Sequence, residues 1–147
     1  MLDSSSQNPN ATGPGDNLFI VGVVVLFLGV ALGAFGAHGL KDILADKAPV
    51  YGTGMRYLFY HGIGILLAGF LADRAGSNAK AHNRHRRGGW LFLAGIVLFT
   101  GSLIILAVSK VTWWGAVTPL GGLCFLAGWL FQLAGLLASR SPKRPAA

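Results

Sequence analysis

The sequence predicts an all-α integral membrane protein, a bundle of four transmembrane helices, and three observations carry that prediction. Four apolar stretches lie at about 18–37, 56–73, 89–108 and 118–138, and inside their ends they carry no charge. Charged residues make up 12% of the chain and hydrophobic ones 53%, at a mean hydropathy of +0.58, against about 25% charged in a soluble domain. Finally, no segment alternates polar and apolar residues as an outer-membrane barrel strand does. Backbone amides in hydrocarbon must bond within their own segment, so the four stretches are helices.

The domain organisation follows from the gaps between them. Residues 1–16 read MLDSSSQNPNATGPGD, a Ser/Asn/Pro/Gly tail with too little apolar surface to order itself. Asn10-Ala-Thr12 matches a glycosylation sequon, which has meaning only on a lumenal side. The membrane domain spans 17–138. Its first stretch is about 20 residues, enough at 1.5 Å rise to cross the roughly 30 Å hydrocarbon layer. A signal peptide is the competing reading, because Ala34-Phe35-Gly36 resembles a cleavage site. No Lys or Arg precedes the stretch, which favours a retained span.

Residues 38–56 form a polar connector. Leu40, Ile43 and Leu44 recur there at helical spacing, as expected of a short helix lying in the interface and ended or kinked by Pro49. The second span follows from Tyr57, reaching back past Arg56 if that side chain snorkels. Residues 73–87 read as a solvated basic loop. The third span is charge-free, and a tight connection carrying Lys110, Trp113 and Trp114 leads to the fourth, with Thr118 as cap and Pro119 at its first position. A basic tail, 139–147, completes the chain.

Charge fixes an orientation. Arg74, Lys80, Arg84, Arg86, Arg87, Arg140, Lys143 and Arg144 fall on one side, and Lys41, Lys47, Arg56 and Lys110 on the other. The richer side faces the cytoplasm, so both termini are expected there, in an inner (plasma) membrane. Tyr51, Tyr57, Tyr60, Trp113 and Trp114 form an expected outer aromatic belt, with Trp90 at the inner face. The net charge of +7 thus serves topology. Without a basic face or aromatic platform, no nucleic-acid partner is expected. Arg74, Lys80, Arg84, Arg86 and Arg87 either set topology alone or also hold anionic lipid headgroups.

Small residues predict how the helices pack, since lipid is as apolar as leucine and only close approach favours one helix on another. Gly22, Gly29 and Gly36 recur every seven residues in the first span, Gly121, Gly128 and Gly135 in the fourth, and Gly29, Gly33 and Ala37 add a second stripe. Both helices are expected to turn glycine faces to neighbours in a compact bundle. Ile65-Leu-Leu-Ala-Gly-Phe-Leu71 echoes Cys124-Phe-Leu-Ala-Gly-Trp-Leu130, and Leu26-Phe-Leu-Gly29 echoes Leu98-Phe-Thr-Gly101, as two duplicated hairpins would.

Four segments carry a family resemblance: Gly33-Ala-Phe-Gly-Ala-His-Gly-Leu40, Arg56-Tyr-Leu-Phe-Tyr-His61, Val97-Leu-Phe-Thr-Gly-Ser-Leu103 and Thr118-Pro-Leu-Gly-Gly-Leu-Cys-Phe-Leu-Ala-Gly-Trp129. In this order the chain resembles, over about residues 18–138, the bacterial domain of unknown function 423, which is similar to eukaryotic transmembrane protein 256. The resemblance implies a four-helix inner-membrane protein without an agreed activity, some of whose members are linked to membrane or envelope integrity. The chain departs from it at Leu58, where many relatives carry Gln.

The candidate polar site is His38 and His61 with Arg56, Tyr57 and Tyr60, all placed near the outer face. Two imidazoles there can relay protons, bind a metal or ligate haem, or simply bond backbone and headgroups. No carboxylate lies within the spans to complete a metal site, and no metal and no cofactor are expected. Cys124, the lone cysteine, reads as a buried small hydrophobe. Thr100, Ser102, Thr118 and Gln132 read as interhelical hydrogen-bond residues. No nucleophile with its base and no phosphate loop is present, so no enzyme is expected. The expected function is a structural or accessory role in the bilayer, with another membrane protein or a second copy as partner. The alternative is a small proton or metal-ion transporter or channel using the outer-face histidines.

Overall fold

The computed structural model describes residues 16–109 and 111–140. In chain order these form α1 (Asp16–His38), the short α2 (Lys41–Leu44), a 3-10 turn (Ala45–Lys47), α3 (Ala48–Arg74), α4 (Ala79–Gly95), a π-turn (Ile96–Thr100), α5 (Gly101–Val108), a 3-10 turn (Thr112–Ala116) and α6 (Thr118–Arg140). Four stretches, Asn17–His38, Lys41–Arg74, Ala79–Val108 and Thr112–Arg140, are long and apolar enough to cross a membrane. The fold class is therefore the expected one: an all-α bundle of four membrane-spanning helices. The expected tails lie outside the described residues, except that Asp16 opens α1 and Ser139 and Arg140 continue α6. Lys110 also lies outside them.

Two connectors differ from expectation. Pro49 does not end the interface helix; it sits in the first turn of α3, where a missing N–H leaves nothing unpaired. That helix thus starts eight residues before the expected Arg56. The basic segment 73–87 is a solvated loop only over 75–78, where Gly76 takes φ +51°. Asn78 then caps α4 by accepting from the Ala81 N–H at 3.1 Å, so residues 79–87 are helical.

Alternation of small and large residues makes the α4–α6 seam. On α6 the inward positions read Gly121, Phe125, Gly128, Gln132, Gly135; on α4 and the π-turn they read Phe99, Gly95, Phe92, Gly88, His85. The helices run antiparallel, and each glycine faces a large partner. A Cβ at Gly121 would meet Phe99, at Gly95 Phe125, at Gly128 Phe92, at Gly88 Gln132 and at Gly135 His85. The α1–α3 seam works likewise, with Gly22 under Leu66, Gly29 under Leu58 and Phe59, and Gly36 under Tyr51. A Cβ at Gly33 would meet nothing within 4 Å and Ala37 is exposed, so of the second small-residue stripe of α1 only Gly29 packs against a neighbouring helix. Gly29 and Gly101, matched in the internal echo, also differ, since Gly101 has open space around it.

The main helix contacts run α1 to α3, α3 to α4 and α5, then α4 to α6. This sets the spans in a row with α1 and α6 at its edges, and α3 also meets α6 through the His61–Phe125 stack. Phe92, Leu18 and Ile65 are among the fully buried side chains between the helices. At one end of the row Lys47 reaches across and donates to the carbonyls of Leu106 (3.1 Å) and Ser109 (2.8 Å). It thereby closes the C-terminus of α5, whose last carbonyls have no helical partner.

Candidate functional site

The structure separates His38 from His61. His38 is exposed at the end of α1, beyond Gly36 and Tyr51, whose hydroxyl donates to the Leu32 carbonyl at 2.5 Å. His61 lies on α3 next to Gly62, and Gly62 faces Val25 and Leu26 of α1. Along α1, Leu26 and His38 are twelve residues apart, roughly 18 Å at 1.5 Å per residue. The expectation that both line the outer face is therefore corrected. Because α3 opens at Ala48, His61 is thirteen residues inside the helix and sits at mid-span. Tyr57 and Tyr60 are drawn inward for the same reason and do not join an interfacial belt. Arg56 is exposed and bonds its neighbour Thr53 Oγ1 at 2.9 Å, while Trp113 and Trp114 stack at 4.6 Å at the end of the row.

His61 is surrounded by rings. Its imidazole stacks on Phe125 with centroids 3.5 Å apart and 12° between planes. Phe92 is 5.5 Å away and Trp129 6.3 Å. The indole N–H of Trp129 can only donate, and it lies 3.4 Å from His61 Nε2. Nε2 is thus the acceptor, and Nδ1–H donates to the Tyr57 carbonyl at 2.9 Å. Both ring nitrogens of a neutral imidazole are satisfied in this way.

Beside His61 an open groove of about 480 Å³ runs between α3 and α6, with Tyr57, Phe99 and Trp129 among its lining residues. The π-turn supplies Phe99, which stacks on Tyr57 at 4.5 Å. Thr100 of the same turn donates to the Gly54 carbonyl at 3.1 Å, tying the widened helix to α3. The groove suits an apolar, flat or chain-like molecule. Among the described residues no three His, Cys, Asp or Glu side chains come together as a metal site. Cys124 is half-buried rather than buried.

A second polar cluster bonds α4 to α6 at the basic end; Gln132 is the interhelical hydrogen-bond residue expected, while its partners on 78–85 fall in the segment expected as a solvated loop. His85 is 1% exposed. Its Nδ1–H donates to Gln132 Oε1 at 2.6 Å, and Gln132 Nε2 donates back to the His85 carbonyl at 3.1 Å. Arg84 donates to the Ala134 carbonyl at 2.8 Å and Asn78 to that of Ala138 at 3.1 Å. Nearer the other end, the hydroxyls of Ser102 and Thr118 pair at 2.8 Å. Of the basic side chains expected to share one solvated loop, Arg84 turns inward, Arg74 lies over the Phe70 ring at 5.5 Å, Lys80 is exposed, and Arg86 and Arg87 line a groove.

A family model described as "Protein of unknown function (DUF423)" matches residues 32–122. The UPF0382 membrane protein YwdK of Bacillus subtilis is 45% identical over 76% of this chain and 88% of its own length. A UPF0382 membrane protein of Staphylococcus haemolyticus is 42% identical over 79% of this chain and 92% of its own. Another, from Staphylococcus epidermidis, is 41% identical over 80% and 93%. No solved structure matches.

Proposed function

The chain belongs to the DUF423 family of membrane proteins, and we propose that it is a non-catalytic, accessory component of the inner (plasma) membrane, acting through another membrane protein or a second copy of itself. One observation carries this reading: among the described residues, no buried side-chain nitrogen or oxygen lacks a hydrogen-bond partner within the protein. His61, His85, Gln132, Thr100 and Ser102 are all engaged with neighbouring groups, so the buried polar groups between the helices serve packing. The row layout supports the same reading, because it leaves the outer faces of α1 and α6 to lipid or to a partner, with Phe27 71% and Leu130 65% exposed.

The end of the row carrying Arg74, Lys80, Arg86 and Arg87 is cytoplasmic by the positive-inside rule. The start of α1 and the end of α6 share it: Leu18 lies against Gly89, and Ala138 accepts from Asn78. Both termini are then cytoplasmic. The transporter alternative used His38 and His61 as outer-face histidines, and the roughly 18 Å between their levels favours the accessory reading over it.

Extraction of native membranes into polymer-bounded nanodiscs, with prior crosslinking, tests the proposal. A stoichiometric membrane partner or a defined dimer is expected. A solitary monomer, combined with proton or metal flux in proteoliposomes that His61→Ala abolishes, would overturn it in favour of transport.

A further inference from the structure

Asn83, Arg86, Arg87 and Trp90 follow the i, i+3, i+4, i+7 spacing of one helical face, and α4 is helical from Ala79. Together with Leu91, and with Phe131 from α6, they line a groove of about 470 Å³. The lining holds two guanidiniums and no carboxylate. Arg84 and His85, between them in sequence, are turned to α6 and bonded there, so the face left outside is the doubly cationic one. Phe131 also lines a second depression of about 260 Å³ with Ala127, Leu130 and Ala134. That slot extends from the cationic groove toward the middle of the row, since α6 runs from Thr118 in the opposite direction.

The level of the groove matters as much as its charge. Leu18, the first apolar residue of α1, lies against Gly89, so Arg86 and Arg87 stand just past the apolar boundary of that helix. On α6 the apolar surface continues further. Ala134 and Ala138 bond to Arg84 and Asn78, and Leu133, Leu136 and Leu137 around them are exposed. Two arginines therefore sit beside exposed leucines and just past the apolar end of α1, the level at which an apolar span meets headgroup phosphates. Guanidiniums match phosphate oxygens with paired N–H donors, and the indole of Trp90 favours the same interfacial level.

We infer that this groove binds one anionic glycerophospholipid. Its phosphate rests on Arg86 and Arg87 with Asn83 beside them, and one acyl chain passes Phe131 into the slot at Leu130 and Ala127.

Native mass spectrometry of the full chain, released from micelles of mixed phosphatidylglycerol and phosphatidylcholine, tests the assignment. The chain is expected to retain one phosphatidylglycerol in preference to phosphatidylcholine. Arg86→Gln and Arg87→Gln should each weaken that binding at least about fivefold, and together at least about 25-fold, as loss of a direct charge-assisted bond to phosphate implies. Arg74→Gln with Lys80→Gln removes as much charge at the same end but off the groove, and should leave binding within about twofold. An equal loss in that control pair would mean diffuse surface charge and overturn the site. Displacement by soluble glycerol 3-phosphate at equal concentration would mean a free-phosphate site and also overturn it. Retention of phosphatidylcholine as readily as phosphatidylglycerol by the unsubstituted chain overturns it without any variant. The single substitutions keep the test intact if the double variant does not insert.

Discussion

His85 and Gln132 hold each other twice across the α4–α6 seam, side chain to side chain at 2.6 Å and amide to backbone carbonyl at 3.1 Å. Hydrogen bonds between membrane helices average about 0.6 kcal/mol. A buried group left unpaired costs more, about 1–3 kcal/mol. Gln132→Leu strands the His85 imidazole N–H, while the His85 carbonyl keeps its helical partner, so it should lower stability in detergent by about 1–3 kcal/mol. The double variant His85→Leu/Gln132→Leu should be less destabilised than the sum of the singles. Additive losses in a double-mutant cycle would show that the two residues do not interact.

The glycines should respond according to what faces them. At Gly121 a new Cβ would stand 2.7 Å from the Phe99 Cβ and 2.8 Å from its Cα, atoms that cannot swing aside. Gly121→Ala should therefore cost about 1–3 kcal/mol, the range for overpacking. At Gly22 the closest obstacles are Cδ2 and Cγ of the Leu66 side chain, which can change rotamer, with the Leu66 backbone N farther off at 3.2 Å, and the loss should be smaller. Gly33→Ala meets nothing and should be neutral or stabilising by about 0.5–1 kcal/mol, the helix preference for alanine over glycine. Equilibrium unfolding in mixed micelles gives the three values, and any other rank order contradicts the seam.

Lys47 joins the segment before α3 to the far end of α5. Lys47→Met keeps the aliphatic stem and removes both donors. It should lower stability by about 1–2 kcal/mol, as expected for charge-assisted bonds to helix-terminal carbonyls. Amide hydrogen exchange should quicken in residues 105–109 while α6 stays protected. Unchanged exchange there would rule out a capping role.

His61 should tolerate an aromatic replacement better than a small one. His61→Phe keeps the stack on Phe125 and frees only the Trp129 N–H, so a loss near 1 kcal/mol is expected. His61→Ala opens a cavity among four rings and should cost about 3 kcal/mol, in line with large-to-small core changes. Comparable losses for both would mean that the hydrogen bonds, not the stacking, hold this residue.

Much of the fold was legible because bilayer thickness imposes a length on every span. The seven-residue glycine rows were readable too, since close packing needs small residues at a fixed spacing on one face. What sequence reasoning missed has a common origin in polar residues inside helices. Arg56, read as the start of the second span, hides the eight helical residues before it and sets His61 at the surface instead of mid-span. His85 was hidden among arginines, where a run of charge reads as solvent. A signal was present nonetheless: Ala81, His85, Gly88, Phe92 and Gly95 are spaced as one helical face, and the arginines beside them fall off it. The π-turn left no such trace, because its extra residue is set by the fit of Phe99 against Gly121 and Tyr57, which depends on two other helices.

The row of spans also bears on how the protein is made. Each long helix rests chiefly on the one synthesised before it: α3 on α1, α4 and α5 on α3, α6 on α4. No span has to wait in lipid for a distant partner still inside the ribosome. A nascent chain can therefore lock one seam at a time as it leaves the translocon, with α6, the last to arrive, closing over the glycines of α4.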